Sequence, residues 1–265
     1  MPAAAVPVLM YHHVSPNPGL VTVSPQTFRA QMSWLARHGY TALSSNQFAA
    51  FLEGQPVAEK SVLITFDDGY LDNYRHAFPA LRDHGLRAVI FAVTGWISDG
   101  MPRREAECPA HSECMHRIES GAADSVMLRW SEIEQMESDG ICEIHSHTHT
   151  HTRWDRQIAD PEKRRSALLA DLVASRNTLQ QRLGKTSQHL CWPQGYYDAQ
   201  YQTVAHEAGF THLYTVRKGV NTPHTAPAEI NRIVVKDKPG MWFASRLWTY
   251  RHAGLGALYT KLRGD

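Results

Sequence analysis

The chain has 265 residues, of which 43% are hydrophobic and 20% are charged, and its formal net charge is +1. This ordinary globular composition excludes a disordered, collagen-like or coiled-coil protein, and the small net charge excludes a whole-chain basic field of the kind that binds nucleic acid. Four cysteines are too few for a disulfide scaffold, and no apolar run approaches the ~20 residues that span a bilayer.

The start of the chain lacks the pattern of a secretory signal. Residues 1–10 contain no Lys or Arg, and a short apolar stretch leads directly to His12. A signal peptide needs a basic start and a longer apolar centre. We therefore expect no signal peptide and a cytoplasmic protein.

Short apolar runs alternate with helical patterns along the chain. Strands are predicted, in order, at 6–11, 40–43, 61–66, 87–93, 141–145, 188–192, 212–216 and 229–235. Helices are predicted between them at 25–39, 45–54, 70–84, 131–140, 160–184 and 198–208. The predicted helix-starting residues are Ser24, Ser45 and Asp160, with a capping box formed by Ser131 and Glu134. This alternation predicts parallel βαβ units in a single α/β domain, as a closed or nearly closed barrel of seven or eight strands.

Two segments depart from this rhythm. Residues 1–240 are assigned to the barrel, with the polar segment 99–126 as an insertion, and residues 241–265 to a C-terminal amphipathic helix. The aromatic and basic residues of 241–262 suit either peripheral contact with the inner membrane or packing on the barrel. In the insertion, Cys108 and Cys114 with nearby histidines could form a small metal clip, although their spacing matches no standard zinc pattern.

Four clusters of unusual residues each follow a predicted strand. They are His12-His13, Asp67-Asp68-Gly69, the histidine run from His145 to His151, and Pro193-Gln194-Gly195. Parallel barrels carry their catalytic groups at the carboxyl ends of the strands, on one face. We therefore expect these clusters to meet at one end of the barrel.

The adjacent carboxylates Asp67 and Asp68 can perform two tasks, because neighbouring side chains leave a strand end in different directions. One can ligate a metal ion while the other acts as a base. Two other interpretations stay open at this stage. The pair could cap a helix N-terminus with Gly69 making the turn, or it could form a phospho-acceptor pocket in an open doubly wound sheet.

The histidine run predicts metal binding. His147 and His151 are four residues apart, which on a helical turn places both imidazoles on one face. Two His and one Asp form a common three-ligand zinc site with an open position. His145 and His149 have the same spacing, but His145 falls in a predicted strand, so the pair 147/151 is favoured. The alternative is a solvated His-Thr loop.

Other groups could assist such a site. His12 can donate a proton near neutral pH, or be a structural histidine. The turn from Pro193 to Gly195 can aim N–H groups at an oxyanion, or be a plain turn. The aromatic side chains that could either stack on a sugar ring or fill the core are Trp130, Trp192, Tyr196 and Tyr197.

Two of these motifs resemble those of a known family. Thr65-Phe66-Asp67-Asp68-Gly69 and His147-Thr148-x-x-His151 are similar to the first two motifs of the polysaccharide deacetylases, the NodB-homology group of carbohydrate esterases, and the resemblance runs from about residue 6 to 235. It implies a distorted (β/α) barrel that hydrolyses the N-acetyl group of amino sugars with a divalent metal such as Zn²⁺, Co²⁺, Ni²⁺ or Mn²⁺. By position, Asp67 resembles the base, and Asp68, His147 and His151 resemble the metal ligands.

Two departures from the family pattern resemble one branch of it, the circularly permuted poly-N-acetylglucosamine deacetylases. Cys191 stands where the third motif usually carries Arg, and the usual late Leu-x-His motif is absent. In that branch an early Tyr-His supplies the acid, which implies this role for His12. Arg232 is the expected replacement for the missing Arg, and Pro193, Gln194, Gly195 and Tyr196 the expected substrate or oxyanion contacts.

The expected function is removal of acetyl groups from a polysaccharide, a lipopolysaccharide or their glycolipid precursors. Two alternatives stay open: an amidohydrolase for a small non-sugar amide, and a sugar-binding barrel with a weak site. The sequence identifies neither the sugar nor the oligomeric state.

Overall fold

Ten short strands and ten α-helices alternate along the part of the chain that this computed structural model describes, residues 1–103, 105–238 and 240–263. The strands are β1 Val8–Tyr11, β2 His13–Val14, β3 Thr22–Val23, β4 Thr41–Ala42, β5 Ser61–Phe66, β6 Ala88–Ala92, β7 Cys142–Ser146, β8 His189–Cys191, β9 His212–Tyr214 and β10 Ile233–Val234. The helices are α1 Pro25–Arg37, α2 Ser45–Leu52, α3 Phe78–Asp83, α4 His111–Glu119, α5 Trp130–Ser138, α6 Trp154–Gln157, α7 Pro161–Leu183, α8 Ala199–Glu207, α9 Gly240–Arg251 and α10 Ala253–Arg263.

The main sheet is parallel and forms a half-barrel, in the order β10-β1-β5-β6-β7-β8-β9, with β4 paired to β5. A single parallel bridge between Tyr214 and Ile230 extends it beyond β9. The helices cover the outside of the sheet, as parallel strands joined by crossovers require. The predicted single-domain α/β barrel is therefore confirmed, with the closure incomplete.

The strand register places the predicted site residues at one edge. In the pairing of β1 with β5, Tyr11 lies opposite Phe66. The next residues along each strand are His12 and Asp67, so they leave the sheet side by side at its carboxyl end. The main-chain N–H of Asp67 continues the ladder by donating to the Tyr11 carbonyl at 2.9 Å.

Side-chain alternation divides the strand residues between two buried layers. On β5, Leu63 faces a cluster inside the barrel that also holds Phe91 and Tyr214. Its neighbours Val62 and Ile64 pack outward, in the larger cluster shared with the helices. Parallel strands covered on both faces have no polar side, which explains the continuously apolar strand patterns in the sequence.

The helix starts confirm two predicted caps. The Ser24 side chain accepts from the Thr27 N–H at the start of α1, and the Asp160 side chain accepts from the Lys163 N–H at the start of α7. The long α7 then ends at Gly184, whose φ of +67° is the left-handed conformation that glycine favours.

Two other predicted caps are wrong. Ser44, not Ser45, caps α2, because the Ser45 hydroxyl is used in a tertiary hydrogen bond to Glu143 at 2.5 Å. The predicted capping box of Ser131 and Glu134 does not form, because α5 begins at Trp130, one residue before Ser131. The helix predicted over 70–84 is present from residue 71 to residue 83, with a π-helical turn at residues 73–77 before α3.

The C-terminal segment forms two helices rather than one. In α9, Phe243 packs edge-on against Trp34 of α1, and Leu247 is fully buried. Trp248 is 55% exposed and Leu258 of α10 is 53% exposed. Within the described residues, no helix has the length and hydropathy to cross a membrane. The predicted peripheral membrane contact of 241–262 stays a prediction.

Candidate active site

The two adjacent aspartates leave the end of β5 in different directions, as expected. Both are buried, and Asp68 adopts a φ of +71°, in the left-handed region that aspartate tolerates better than most residues. This turn directs the Asp67 carboxylate to Arg232 and the Asp68 carboxylate to two histidines. The sequence interpretation of one ligand and one base therefore has the geometry it requires.

Asp68, His147 and His151 form a cluster that could hold a metal ion. The Oδ1 atom of Asp68 lies 3.3 Å from Nε2 of His147 and 3.5 Å from Nε2 of His151, and the three ligand atoms lie within 4.8 Å of one another. The Nδ1–H of His147 donates to the Cys191 carbonyl at 2.8 Å, which leaves Nε2 as the coordinating nitrogen. Such an outer hydrogen bond accompanies most histidine ligands, so this set fits a divalent ion such as Zn²⁺.

The protonation of two of the three ligands is suited to metal binding. Burial raises the pKa of the Asp68 carboxyl, but the hydrogen bond from His147 and the charge of His151 outweigh burial and hold that pKa far below its usual range. Burial lowers the pKa of His151 to about 4. Asp68 ionised and His151 neutral are the forms that bind a metal ion. Burial lowers the pKa of His147, but Cys191 and the hydrogen bond with Asp68 outweigh burial and raise that pKa well above its ordinary value, so metal binding here would displace a proton from His147.

The prediction that His147 and His151 share a helical turn is wrong. The segment is irregular, and Thr148 and His151 adopt φ values of +66° and +59°. The Asp171 carboxylate of α7 holds this loop by accepting from the main-chain N–H groups of residues 149 and 150, at 3.0 and 2.9 Å. A tertiary contact, not helix geometry, therefore brings the two imidazoles together.

His145 lies in β7, as predicted, and belongs to a different environment. Its ring nitrogens contact the hydroxyl groups of Ser187 at 2.9 Å and Ser45 at 3.0 Å. Since both nitrogens are occupied away from Asp68, the preference for the pair 147/151 over 145/149 agrees with the geometry.

Arg232 pairs with Asp67 from the far end of the chain. Its Nη1 and Nη2 donate to the two carboxylate oxygens at 2.6 and 2.8 Å, and Nη2 lies 2.9 Å from the Cys191 sulfur. Burial raises the pKa of the Asp67 carboxyl, but the charge of Arg232 outweighs this effect and leaves the pKa below its ordinary value. Arg232 thus contacts Asp67 in the way expected of a replacement for the missing Arg.

His12 lies beside the same carboxylate. Its Nε2 atom is 3.8 Å from Oδ2 of Asp67. Burial lowers the pKa of His12, and the charges of Asp67 and Asp68 offset only part of that effect. His12 is therefore neutral near pH 7 and placed to receive a proton from Asp67.

The turn Pro193–Gly195 closes another side of the site. The N–H groups of Gly195 and Tyr196 donate within the turn, to the carbonyls of Trp192 and Pro193 at 2.9 and 3.3 Å. Gly195 has no room for a side chain, since a Cβ atom there would lie 2.2 Å from a Val216 methyl. Because the N–H groups of Gly195 and Tyr196 are used within the turn, Gln194 is the residue of the turn left for the expected oxyanion contact. Gln194 is exposed and adopts a φ of +54°.

The aromatic residues divide between core and rim. Trp130 and Trp192 are both buried, but Trp192 also lines the central cleft, so core packing alone accounts only for Trp130. Tyr196 is partly exposed and stacks under the Arg153 guanidinium at 4.0 Å. It lies outside the residues that line the central cleft, so its predicted substrate contact is restricted to the rim.

These side chains surround a cleft of about 190 Å³. Its lining includes residues that the sequence interpretation did not assign to this site, namely Val21, Tyr70, His111, Met115 and Val216, although His111 was one of the histidines of the possible metal clip. His111 and Met115 come from the insertion, through α4. Their sequence signal was weak, because a histidine in a polar segment is usually solvated.

The described residues of the insertion do not supply the second metal clip that its cysteines suggested. Among the described residues, two groups of three could hold a metal ion, and neither contains Cys108 or Cys114. The second group combines Asp67, His147 and Cys191, but Asp67 is already paired with Arg232. The Asp68 group is therefore the better metal site.

Comparisons with known proteins agree with this geometry. The family model "Polysaccharide deacetylase" matches residues 54–213, more than half of the chain. The Bacillus subtilis protein YxkH is 35% identical over 51% of this chain and 49% of its own length. The poly-β-1,6-N-acetyl-D-glucosamine N-deacetylase of Staphylococcus epidermidis is 23% identical over 82% of this chain and 68% of its own length.

A solved structure matches nearly the whole fold. IcaB from Ammonifex degensii superposes with a TM-score of 0.74 at 26% identity, covering 93% of this chain and 97% of that chain. The chain spans only about half the length of YxkH. From the family model, the half-barrel and its carboxyl-end cluster together, the chain belongs to the polysaccharide deacetylase family.

Proposed function

We propose that this protein is a metal-dependent hydrolase that removes acetyl groups from the N-acetylated amino sugars of a polysaccharide. One observation carries the proposal: the cleft holds a second carboxylate, Asp67, beside the ligand set of Asp68, His147 and His151. A metal site with an adjacent base is the arrangement that metal-assisted amide hydrolysis uses. The names of the staphylococcal relative and the family support an amino-sugar polymer as substrate.

The ligand set defines what a cofactor would contribute. Asp68, His147 and His151 would hold a divalent ion, which when bound polarises the acetamide carbonyl and lowers the pKa of water. Zn²⁺ suits the two imidazoles and one carboxylate, and Co²⁺, Ni²⁺ and Mn²⁺ are the other expected occupants.

Asp67 is placed to act as the base. It takes a proton from the attacking water as the new C–O bond forms at the acetamide carbon. The paired hydrogen bonds from Arg232 fix the direction of the carboxylate and keep it ionised before the reaction. Gln194, exposed beside the cleft, supplies the remaining contact to the developing oxyanion.

His12 completes the proton balance. It begins neutral, so it cannot donate until it has received a proton. The proton on Asp67 can pass to His12 across the 3.8 Å that separates the two side chains. His12 then protonates the departing nitrogen as the C–N bond breaks, which releases acetate and the free amino sugar.

The test is an acetate-release assay with a matched panel. The protein is stripped with a chelator, reloaded with Zn²⁺ or Co²⁺, and incubated with β-1,6- and β-1,4-linked pentamers of N-acetylglucosamine and with N-acetylated amino acids. Acetate release from a pentamer after reloading, together with the mass loss of one acetyl group, is the expected result. Turnover of the amino acids alone would indicate the small-amide hydrolase, and binding of pentamer without turnover would indicate a sugar-binding barrel.

A further inference from the structure

Three side chains form a hydrogen-bonded chain that ends at the wall of the cleft. The Oδ2 atom of Asp72 lies 2.6 Å from Nδ1 of His13, and Nε2 of His13 lies 3.2 Å from Nδ1 of His111. Asp72 and His13 are buried, at 3% and 0% exposure, whereas His111 is partly exposed and lines the cleft. The mechanism proposed above uses none of the three.

The hydrogen bonds that link Asp72, His13 and His111 have a defined direction, because the Asp72 carboxylate at the buried end can only accept hydrogen bonds. The other oxygen of Asp72 accepts from the Val14 N–H at 3.0 Å and from the Asn73 amide at 2.9 Å, which is the pattern of an ionised carboxylate. His13 must then carry its proton on Nδ1, and a neutral His13 has an accepting Nε2. With His13 in this neutral form, His111 donates to it through Nδ1, and the Nε2 of His111 carries a lone pair.

The surroundings keep this arrangement in place. The His13 ring stacks on Tyr70, with 3.7 Å between ring centroids and 27° between planes. Burial lowers the pKa of His111 below its ordinary value, which Asp68 offsets only in part, so His111 stays neutral near pH 7. A neutral imidazole with one nitrogen already engaged can offer the cleft a single polar atom.

We propose that His111 contacts the substrate sugar as a hydrogen-bond acceptor, and that Asp72 acts through His13 as a positioning residue that sets this polarity. The inference rests on the proposed function, since it assumes a sugar in the cleft. An accepting nitrogen binds a sugar hydroxyl and disfavours a carboxylate or sulfate group at the same place. The insertion 99–126 therefore selects neutral amino sugars that present a hydroxyl to α4.

The first experiment determines which ring nitrogen of His111 carries the proton, and it needs no substrate. In zinc-loaded protein labelled with ¹⁵N-histidine, the His111 signals are assigned by their loss in His111→Asn. The expected tautomer has the proton on Nδ1. In Asp72→Asn, the new amide N–H₂ faces His13, so both imidazoles reverse and His111 becomes protonated on Nε2. A His111 protonated on Nε2 in the wild-type protein would overturn the proposal.

The second experiment measures kinetics on the β-1,6-linked N-acetylglucosamine pentamer. Loss of one neutral hydrogen bond in His111→Ala raises KM about three- to tenfold, and kcat changes little because ground and transition states lose the contact equally. Asp72→Asn raises KM similarly, and the double variant is no worse than His111→Ala. His116→Ala, an exposed histidine on the same helix, is the matched control with unchanged constants.

These outcomes separate this inference from the proposed function. No acetate release by the wild-type protein would refute the deacetylase function, while the tautomer measurement would still decide the Asp72–His13–His111 chain. An active wild-type protein whose KM is unchanged in His111→Ala would refute the substrate contact, and additive effects of the two substitutions would refute the positioning role of Asp72.

Discussion

Two groups of buried histidines lie at different levels of the same barrel and differ in what faces them. The upper group consists of His147 and His151 with Asp68, just beyond the end of β7. The lower group consists of His145, His189 and His212. The ring centroids of His145 and His189 are 4.6 Å apart, and those of His189 and His212 are 4.7 Å apart. The two groups are close in sequence, since His145 of the lower group and His147 of the upper group are two residues apart.

Hydrogen-bond partners account for the difference. In the upper group both imidazoles point Nε2 at one buried carboxylate that is open to a cleft. In the lower group the ring nitrogens meet hydroxyl groups instead: His145 contacts Ser45 and Ser187, and His189 contacts Tyr214 at 3.2 Å. Burial of an imidazole therefore does not indicate a metal ligand; a shared carboxylate and an open cleft do.

The largest expected effect distinguishes the two groups directly. His147→Ala removes one of three ligands, so we expect loss of bound metal and a fall in acetate release greater than the ~10–100-fold that changes outside the ligand set cause. His145→Ala, the matched substitution in the lower group, should keep the metal and lose mainly stability. Metal content by mass spectrometry and acetate release are measured together. Equal metal loss in both variants would contradict the comparison.

The second prediction concerns Asp67, the carboxylate that lies beside the upper group and is not one of its three metal ligands. Asp67→Asn keeps the shape and the ligand set but removes the base. We expect wild-type metal content with acetate release lower by roughly 10²–10⁴. Normal turnover in this variant would remove the assignment of Asp67 as base, whatever its effect on stability.

The third prediction concerns the buried ion pair of the upper site. Arg232→Met leaves the Asp67 carboxylate buried without its cation, which costs about 3–5 kcal/mol of unfolding free energy. The double variant with Asp67→Asn should recover a large part of that loss, because no buried charge is left unpaired. Denaturant unfolding of the two variants and the wild type measures this. An equal loss in the single and double variants would mean that Arg232 stabilises the fold through packing alone.

The smallest effect is a pH dependence of the lower group. Burial, with the neighbouring His145 and His212, holds the pKa of His189 well below 6.5, and burial also lowers the pKa of His212. The unfolded chain takes up these protons as pH falls below about 6.5, while the folded lower group does not. Stability therefore decreases from pH 6.5 downward, by up to about 1.4 kcal/mol per pH unit for each such group.

His189→Gln removes one of these titrating groups and keeps a polar partner for Tyr214. We expect the variant to lose less stability than the wild type between pH 6.5 and 5, relative to their values at pH 7.5. The other titrating members of the lower group, His145 and His212, are present in both proteins. So are the charged groups around them, namely Glu53, Glu137, Glu143 and Lys185. Identical slopes in thermal unfolding at these pH values would show that His189 is not protonated on unfolding.

Much of the fold was predictable because its signals are local. The β5 strand, the caps Ser24 and Asp160, and the end of α7 at Gly184 each follow from short-range patterns, and all agree with the structure. The wrong predictions have non-local causes. Ser45 does not cap α2 because its hydroxyl is bound to Glu143, a residue on a distant strand.

The site shows the same division. The residue types at the strand ends, an aspartate pair and a run of histidines, are readable in the sequence as metal-site chemistry. Their geometry is not: the loop from His147 to His151 depends on Asp171, a carboxylate on the buried stripe of α7. The position of Asp171 among the apolar residues of that stripe is a sequence signal for this contact, since a buried acidic side chain needs hydrogen-bond partners.

By itself, the sequence determined the order of strands and helices and the chemical groups that follow each strand, because both depend on residues within a few positions of one another. Only the tertiary structure decided which groups meet. Arg232 reaches Asp67 because β10 lies next to β1 and β1 next to β5. His111 is held at the cleft by His13, which is bound in turn to Asp72. Contacts between distant residues depend on strand order and register, which local patterns do not encode.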